Sequence, residues 1–179
     1  MTRTATFTSI AALAASAALA GCVSPTAPAA ETLGVAQLAK ADGTPAGLAQ
    51  IVAVGDQLSI NVTASGIEPG AHGFHLHTTG ACRAPDFTSA GGHLNPTDNE
   101  HGMENPDGSH FGDLPNLQVG AGGTASASFD LGHGRERALE WLFDADGTAV
   151  VIHAGADDYR TNPSGNAGPR VACGVLERA

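Results

Sequence analysis

The stretch Gln57-Leu58-Ser59-Ile60-Asn61-Val62-Thr63 alternates polar and apolar residues without a break. A period of two places Leu58, Ile60 and Val62 on one face, as in a half-buried β-strand. Working back, residues 48–54 form a second apolar-rich run, and Gly55-Asp56 between the two has the composition of a tight hairpin turn. Residues 33–38 read as an earlier strand, ended by the turn-forming Asp42-Gly43-Thr44-Pro45. Working forward, Gly66 and Pro69-Gly70 break the chain before Gly73-Phe74-His75-Leu76-His77. Further strand candidates are 117–119, 124–130, 148–153 and 170–176, separated by Gly120, Gly122-Gly123 and Asp146-Gly147. Eight short strands and no convincing amphipathic helix predict an all-β antiparallel barrel or sandwich. Residues 135–141 have room for one helical turn, which leaves the class unchanged.

Composition agrees and excludes other classes. The chain has 179 residues, which suits one folded domain, and 18 Asp and Glu against 8 Lys and Arg give a formal net charge of −10. With 24 Gly, 10 Pro and only 15% charged residues, turns are plentiful and a helical bundle is disfavoured. A nucleic-acid partner is excluded, because Lys40 is the one lysine and no basic patch exists. A hydrophobic share of 42% argues against charged disorder. The unusual feature is eight histidines beside one Trp and one Tyr.

The first thirty residues read as an address. Arg3 precedes an apolar run over 7–20 that is too short for a confident membrane span and fits a signal peptide. The run ends in Leu19-Ala20-Gly21-Cys22, which is similar to a bacterial lipoprotein cleavage box. The expected layout is a signal over 1–21, a lipid on Cys22, a Pro/Ala-rich tether over 22–31 and a folded domain over 32–179. The chain is then exported, periplasmic or on the cell surface, and touches the membrane only through that lipid. The plainer alternative is an ordinary signal cut nearby, with Cys22 free or removed. Setting Cys22 aside leaves Cys82 and Cys173, an even pair for an exported chain.

Two long connections, 78–116 and 154–169, interrupt the strand pattern, and long loops in a compact domain are usually functional. The histidines cluster in and beside them. His75 and His77 lie two apart on one strand, so both rings project from the same face. Two imidazoles so placed suit copper or zinc, although an isolated pair of this kind is a weak signal. His93, His101, His110 and Asp113 follow at separations of 8, 9 and 3, a set able to close around one tetrahedral ion. His153 ends the apolar run Thr148-Ala149-Val150-Val151-Ile152, where a lone histidine is more often a satisfied core residue. Six histidines and a carboxylate in this context are harder to set aside than any one of them.

Taken together, Gly73-Phe74-His75-Leu76-His77, Gly92-His93-Leu94-Asn95-Pro96, His110-Phe111-Gly112-Asp113-Leu114, the run from His153 to Asp158 and Gly165 to Gly174 resemble copper/zinc superoxide dismutase. The resemblance implies an eight-stranded Greek-key β-barrel with two long functional loops, one for the metals and disulfide and one electrostatic. It implies one copper held by His75, His77, His93 and His153, and one zinc held by His93, His101, His110 and Asp113. His93 matches the bridging histidine, and Cys82 and Cys173 match the family disulfide. Arg170 matches the arginine that orients superoxide, so that Arg170 and His93 are the catalytic candidates. Asp157 matches a carboxylate linking a copper ligand to a zinc ligand, fixing their rings. The implied activity is dismutation of superoxide to dioxygen and hydrogen peroxide by a copper redox cycle with structural zinc, protecting the cell envelope.

Several positions depart from the family pattern. The segment 154–169 is short and has no lysine, only Arg160, while Pro169, Ser164, Leu94 and Met103 replace commoner residues. None of these removes a ligand. His72 matches a non-ligand histidine of the family that hydrogen-bonds backbone, which implies a structural role, and His133, between Gly132 and Gly134, reads as a solvated loop residue. Glu100, Glu104 and Asp107 read as a solvated face. The competing function is an exported copper/zinc storage or delivery module that kept the fold. The oligomer is open between monomer and homodimer.

Overall fold

A computed structural model describes residues 1–2 and 28–179. The signal segment and Cys22 lie outside the described residues, as does most of the tether. Strands β1 (Ala30–Ala39), β2 (Pro45–Val54) and β3 (Gln57–Ser65) form the opening meander. They are followed by β4 (Gly70–His77), β5 (Asp113–Val119), β6 (Thr124–Asp130), β7 (Ala149–His153), β8 (Arg170–Val175) and the two-residue β9 (Glu177–Arg178). All pairings among them are antiparallel.

The hydrogen-bonded order is β5-β4-β7-β8-β1-β2-β3-β6, with β9 on the edge of β1. β6 returns to pair with β3, and β7 returns to pair with β4, which makes two overlapping Greek keys. Consecutive β5 and β6 are the two ends of the path, so the sheet curls into a nearly closed barrel.

Alternation in the sequence becomes inside and outside. In β3, Leu58, Ile60, Val62 and Ala64 are buried while Gln57, Thr63 and Ser65 are exposed. The interior is one apolar cluster running from Ala36 and Leu38 through Ile51, Ile60, Phe74 and Leu117 to Ile152. Gly55-Asp56 turns β2 into β3, with Val54 opposite Gln57, as the hairpin signal required.

Two elements differ from their expected form. The strand expected at 117–119 begins at Asp113, because the chain pairs with β4 on both sides of Pro115. A slip absorbs the proline: two steps on β4, from His72 to Phe74, face three on β5, from Leu117 to Leu114. The single helical turn at 135–141 is a two-turn helix, α1 (Arg135–Leu142). Its Arg, Glu, Ala and Leu residues are strong helix formers, and Ala138 and Leu142, one turn apart, are buried in the core. Gly134 supplies no side-chain cap, so the usual start signal is missing from the sequence. β1 starts at Ala30, two residues inside the expected tether.

Outside the barrel, the segment between β4 and β5 folds back over β7 and β8. A second, small apolar cluster of Phe87, Ala90, Ala149, Val151 and Cys173 seals that contact. Cys82 and Cys173 are disulfide-bonded, tying the loop to β8 across 91 residues of sequence.

Candidate metal centre

On β4, Phe74 and Leu76 enter the barrel core, so His75 and His77 point outward beneath the covering loop. On β7, Val150 and Ile152 face in, while Ala149 and Val151 face the loop. His153 shares their parity. Beside it, β8 slips by one residue, pairing Ala172 with Ile152 but Arg170 with His153. That slip sets Arg170 against the last outward histidine.

The loop is zipped onto β4 by backbone. Leu76 donates to Gly112 O at 3.0 Å, Leu94 donates to Leu76 O at 2.8 Å, and Gly112 donates to Leu94 O at 2.8 Å. A Cβ on Gly112 would overlap Leu76 O, so only glycine permits this approach. The zipper delivers His93 opposite His77. The His75 and His93 ring centres are then 4.0 Å apart, and those of His77 and His93 5.0 Å apart.

Two groups of ligand atoms result: His75, His77, His93 and His153, and His93, His101, His110 and Asp113. Within each, all the atoms lie within 4.8 Å of one another, and His93 belongs to both. Hydrogen bonds assign the nitrogens. His77 Nδ1 is bonded to Gly91 O at 3.0 Å and His153 Nδ1 to Gly168 O at 3.0 Å, which leaves their Nε2 atoms 3.5 Å apart. Nδ1 of His75 and Nε2 of His93 are buried without any partner. In the second group, Nδ1 of His93, His101 and His110 lies 2.7, 3.1 and 3.1 Å from Asp113 Oδ1. Ligands on a tetrahedral ion with bonds of about 2.0 Å stand roughly 3.3 Å apart, so these three separations are close to that spacing. Asp113 Oδ2 is meanwhile occupied by the N–H groups of Gly102 at 2.9 Å and His110 at 3.0 Å.

Asp157 joins the groups from behind, with Oδ2 2.7 Å from His75 Nε2 and Oδ1 3.0 Å from His101 Nε2. Each ring thereby turns its other nitrogen toward its own cluster. The orphaned buried nitrogens of His75, His93 and His101 lie within these groups, while the opposite nitrogen of each ring is bonded to Asp157 or Asp113, an arrangement that fits bound metal ions.

The electrostatics follow from burial. Desolvation lowers His75 to about 3 and His153 to about 4, and holds His77 well below the usual histidine value. These rings are neutral, as metal ligands must be. Burial also acts on His101, but the carboxylates of Asp113 and Asp157 outweigh it and raise the ring to about 9. Burial raises Asp113 and Asp157, yet hydrogen bonds from the histidines win and hold both well below the ordinary carboxylate range.

A cleft of about 400 Å³ opens onto the first group, and His77, His93, His153, Ser164 and Arg170 are among the residues that line it. The Arg170 guanidinium donates to Phe87 O at 2.6 Å and to Gly91 O at 2.5 Å. Gly91 O thus accepts from both Arg170 and His77. The sequence carried no sign of these carbonyls, since a backbone acceptor has no residue-type signature. A larger hollow beside α1, among Asp56, Arg135 and Glu140, brings together no ligand cluster. His72 bonds the His153 and Glu68 carbonyls at 2.7 and 2.8 Å, and His133, Glu100, Glu104 and Asp107 are exposed.

Comparison with known proteins places this geometry. The family model described as copper/zinc superoxide dismutase matches residues 46–176. A superoxide dismutase-like protein of Bacillus subtilis is 46% identical over 145 residues, covering 78% of this chain and 74% of that protein. A Cu-Zn superoxide dismutase of Aquifex aeolicus is 40% identical, covering 79% of this chain and 84% of the relative. Among solved structures, a superoxide dismutase-like protein from Bacillus subtilis superposes with a TM-score of 0.73 at 41% identity, covering 80% of this chain and 97% of that one. The Cu/Zn superoxide dismutase from Brucella abortus does so with a TM-score of 0.66 at 29% identity, covering 83% and 100%.

Proposed function

This chain belongs to the copper/zinc superoxide dismutase family, and from that premise we propose that it dismutates superoxide in the cell envelope, turning two superoxide anions and two protons into dioxygen and hydrogen peroxide. The observation that carries the reading is the pair of ligand clusters sharing His93, each complete. Copper held by His75, His77, His93 and His153 supplies one-electron oxidation and reduction, and zinc held by His93, His101, His110 and Asp113 supplies fixed charge in a closed site.

The protein's own residues do the rest. Arg170 binds and orients the anion. Its two carbonyl anchors fix the guanidinium at the cleft wall, so a local positive group serves an acidic protein. His93 Nδ1 lies in the zinc set, 2.7 Å from Asp113 Oδ1, so zinc would hold the ring there with its Nε2 aimed at the first cluster. That nitrogen would ligate copper in the oxidised protein and, when released from it in the reduced protein, would carry a proton for the reduced oxygen species. Asp157 keeps His75 and His101 in the tautomers that face the two metals.

Export is part of the same reading. Leu19-Ala20-Gly21-Cys22 directs cleavage and lipidation at Cys22, leaving the domain on a Pro/Ala tether. No helix among the described residues is long and apolar enough to cross a membrane. The wild-type chain is expected to take up labelled fatty acid and a Cys22→Ser variant to take up none, and a wild type that stays unlabelled would refute the anchor.

The deciding experiment is superoxide decay by the fragment that begins after Cys22, with copper and zinc counted in the same sample. Rapid decay with about one of each metal per chain is expected from the two ligand sets. Arg170→Ala should slow decay at least about tenfold with metal content unchanged, the scale of losing one charge-assisted contact to the substrate. Both metals bound without decay would favour the second reading, a copper/zinc storage or delivery module. The observation on its side is that the Bacillus subtilis relative is named dismutase-like.

A further inference from the structure

We propose that Asn116 is the positioning residue that fixes Asp157 between the two metal clusters. The inference rests on the metal assignment just given. It starts from the slip in β5. By taking three steps against two on β4, the strand places Asn116 in the irregular stretch, free of the β4 ladder. The Asn116 amide meets the opposite loop there. Its Oδ1 accepts the Asp157 N–H at 2.8 Å, and its Nδ2 donates to Asp157 O at 2.9 Å. One side chain thus satisfies both backbone groups of a buried residue, as a neighbouring strand would.

The contact is reinforced from a second side. The Asn116 backbone N–H donates to Tyr159 Oη at 2.7 Å, and the Tyr159 N–H donates to Asp157 Oδ1 at 2.7 Å. The Asp157 backbone is therefore held by Asn116, and its carboxylate is aimed by Tyr159. That carboxylate reaches His75 on one side and His101 on the other. Asp113 lies three residues before Asn116 on the same strand, so both carboxylates of the centre take their positions from β5. The residue type is specific. An aspartate cannot donate to the Asp157 carbonyl, and serine or alanine is too short to span both contacts.

The test is a double-mutant cycle on zinc affinity, measured by chelator competition for wild type, Asn116→Ala, Asp157→Ala and the double variant. Each single change should weaken zinc binding about tenfold, the low end for an outer-shell partner. The double variant should be no more than about twofold weaker than Asp157→Ala, since Asn116 acts through that residue. An Asn116→Ala affinity equal to wild type would overturn the proposal. So would additive losses, which would make Asn116 a general support of the scaffold.

Should Asn116→Ala not fold, Asn116→Asp keeps the size and the acceptor but loses the donor. In the metal-free wild type, the Nε2 protons of His75 and His101 should be visible by NMR as slowly exchanging signals. Asn116→Asp should lose them, and their persistence would count against the proposal. A wild-type chain that binds no zinc would instead overturn the metal assignment, and the proton signals alone would then decide Asn116.

Discussion

Gly165 lies directly against Asp157: a Cβ on this glycine would overlap the Asp157 carboxylate and stand 2.7 Å from His101 Nε2. The backbone there has φ +63°, where an L side chain is strained by about 1–2 kcal/mol. Gly165→Ala therefore combines local strain with displacement of the carboxylate that spans the clusters. Zinc affinity should fall about 10- to 100-fold, and metal-free stability by at least about 2 kcal/mol. Chelator competition and chemical denaturation measure the two. An alanine variant with wild-type zinc affinity would mean that Asp157 does not orient His101.

Thr148 is fully buried at the foot of β7, and its hydroxyl has no hydrogen-bond partner. An orphaned hydroxyl in an apolar setting costs about 1–3 kcal/mol relative to its solvated state. Thr148→Val keeps the shape and removes that cost. It should raise stability by about 1 kcal/mol, seen as a Tm increase of a few degrees. A lower Tm would show that the hydroxyl is satisfied in solution, for example by a trapped water.

The metal-free chain should be most stable near neutral pH. His75 and His153 fall from 6.5 unfolded to about 3 and about 4 when folded, so the unfolded chain binds more protons in that window. Stability must then drop as pH falls below 6.5. His101 has the opposite sign. Its folded value of about 9 contributes stability that is complete below 6.5 and lost as pH rises through 9. Urea midpoints at pH 4.5, 7 and 9.5 test this: a midpoint rising steadily with pH would mean that His101 lacks its two carboxylate partners.

The disulfide closes a loop of 91 residues, for which the chain-entropy model gives about 4–5 kcal/mol as an upper value. Cys173→Ser should lower stability by up to that amount. It also releases the loop bearing the carbonyls of Phe87 and Gly91, which hold Arg170. Superoxide decay per bound copper should therefore fall even where the variant remains folded. Unchanged decay per copper would show that the small cluster around Phe87 holds the loop unaided.

Trp141 offers an optical probe of the second cluster. Its ring lies 5.0 Å from that of Phe111, the residue between His110 and Gly112. Zinc added to the metal-free chain should change the emission of this single tryptophan, and Phe111→Leu should largely abolish the change. Emission indifferent to zinc would mean that the loop is already locked without the ion.

Strands that cover one face of the core were legible because burial on one side writes alternation into the chain, as Leu58, Ile60 and Val62 do. β5 was legible only in its second half, since Pro115 interrupts the pattern and a register slip absorbs it. α1 was underread because Gly134 gives it no cap and its stability comes from Ala138 and Leu142 in the core. The ligand types stood out through histidine spacing. Their tautomers did not, because these depend on Gly91 O, Gly168 O and Asp157, which only folding brings near. Asn116 was silent for the same reason: an asparagine near a proline reads as a turn, and its partner lies 41 residues away.

The division of β4 and β7 into an inward and an outward parity also sets how such a chain can vary over generations. A single-residue deletion within β4 would exchange Phe74 and Leu76 with the two histidines, putting imidazoles into the barrel and a phenyl ring under the loop. Scaffold and chemistry would fail in one event. Insertions in 78–92 or 154–169 leave that parity intact, so lineages can remodel the cleft mouth by changing loop length while the strands stay frozen in phase.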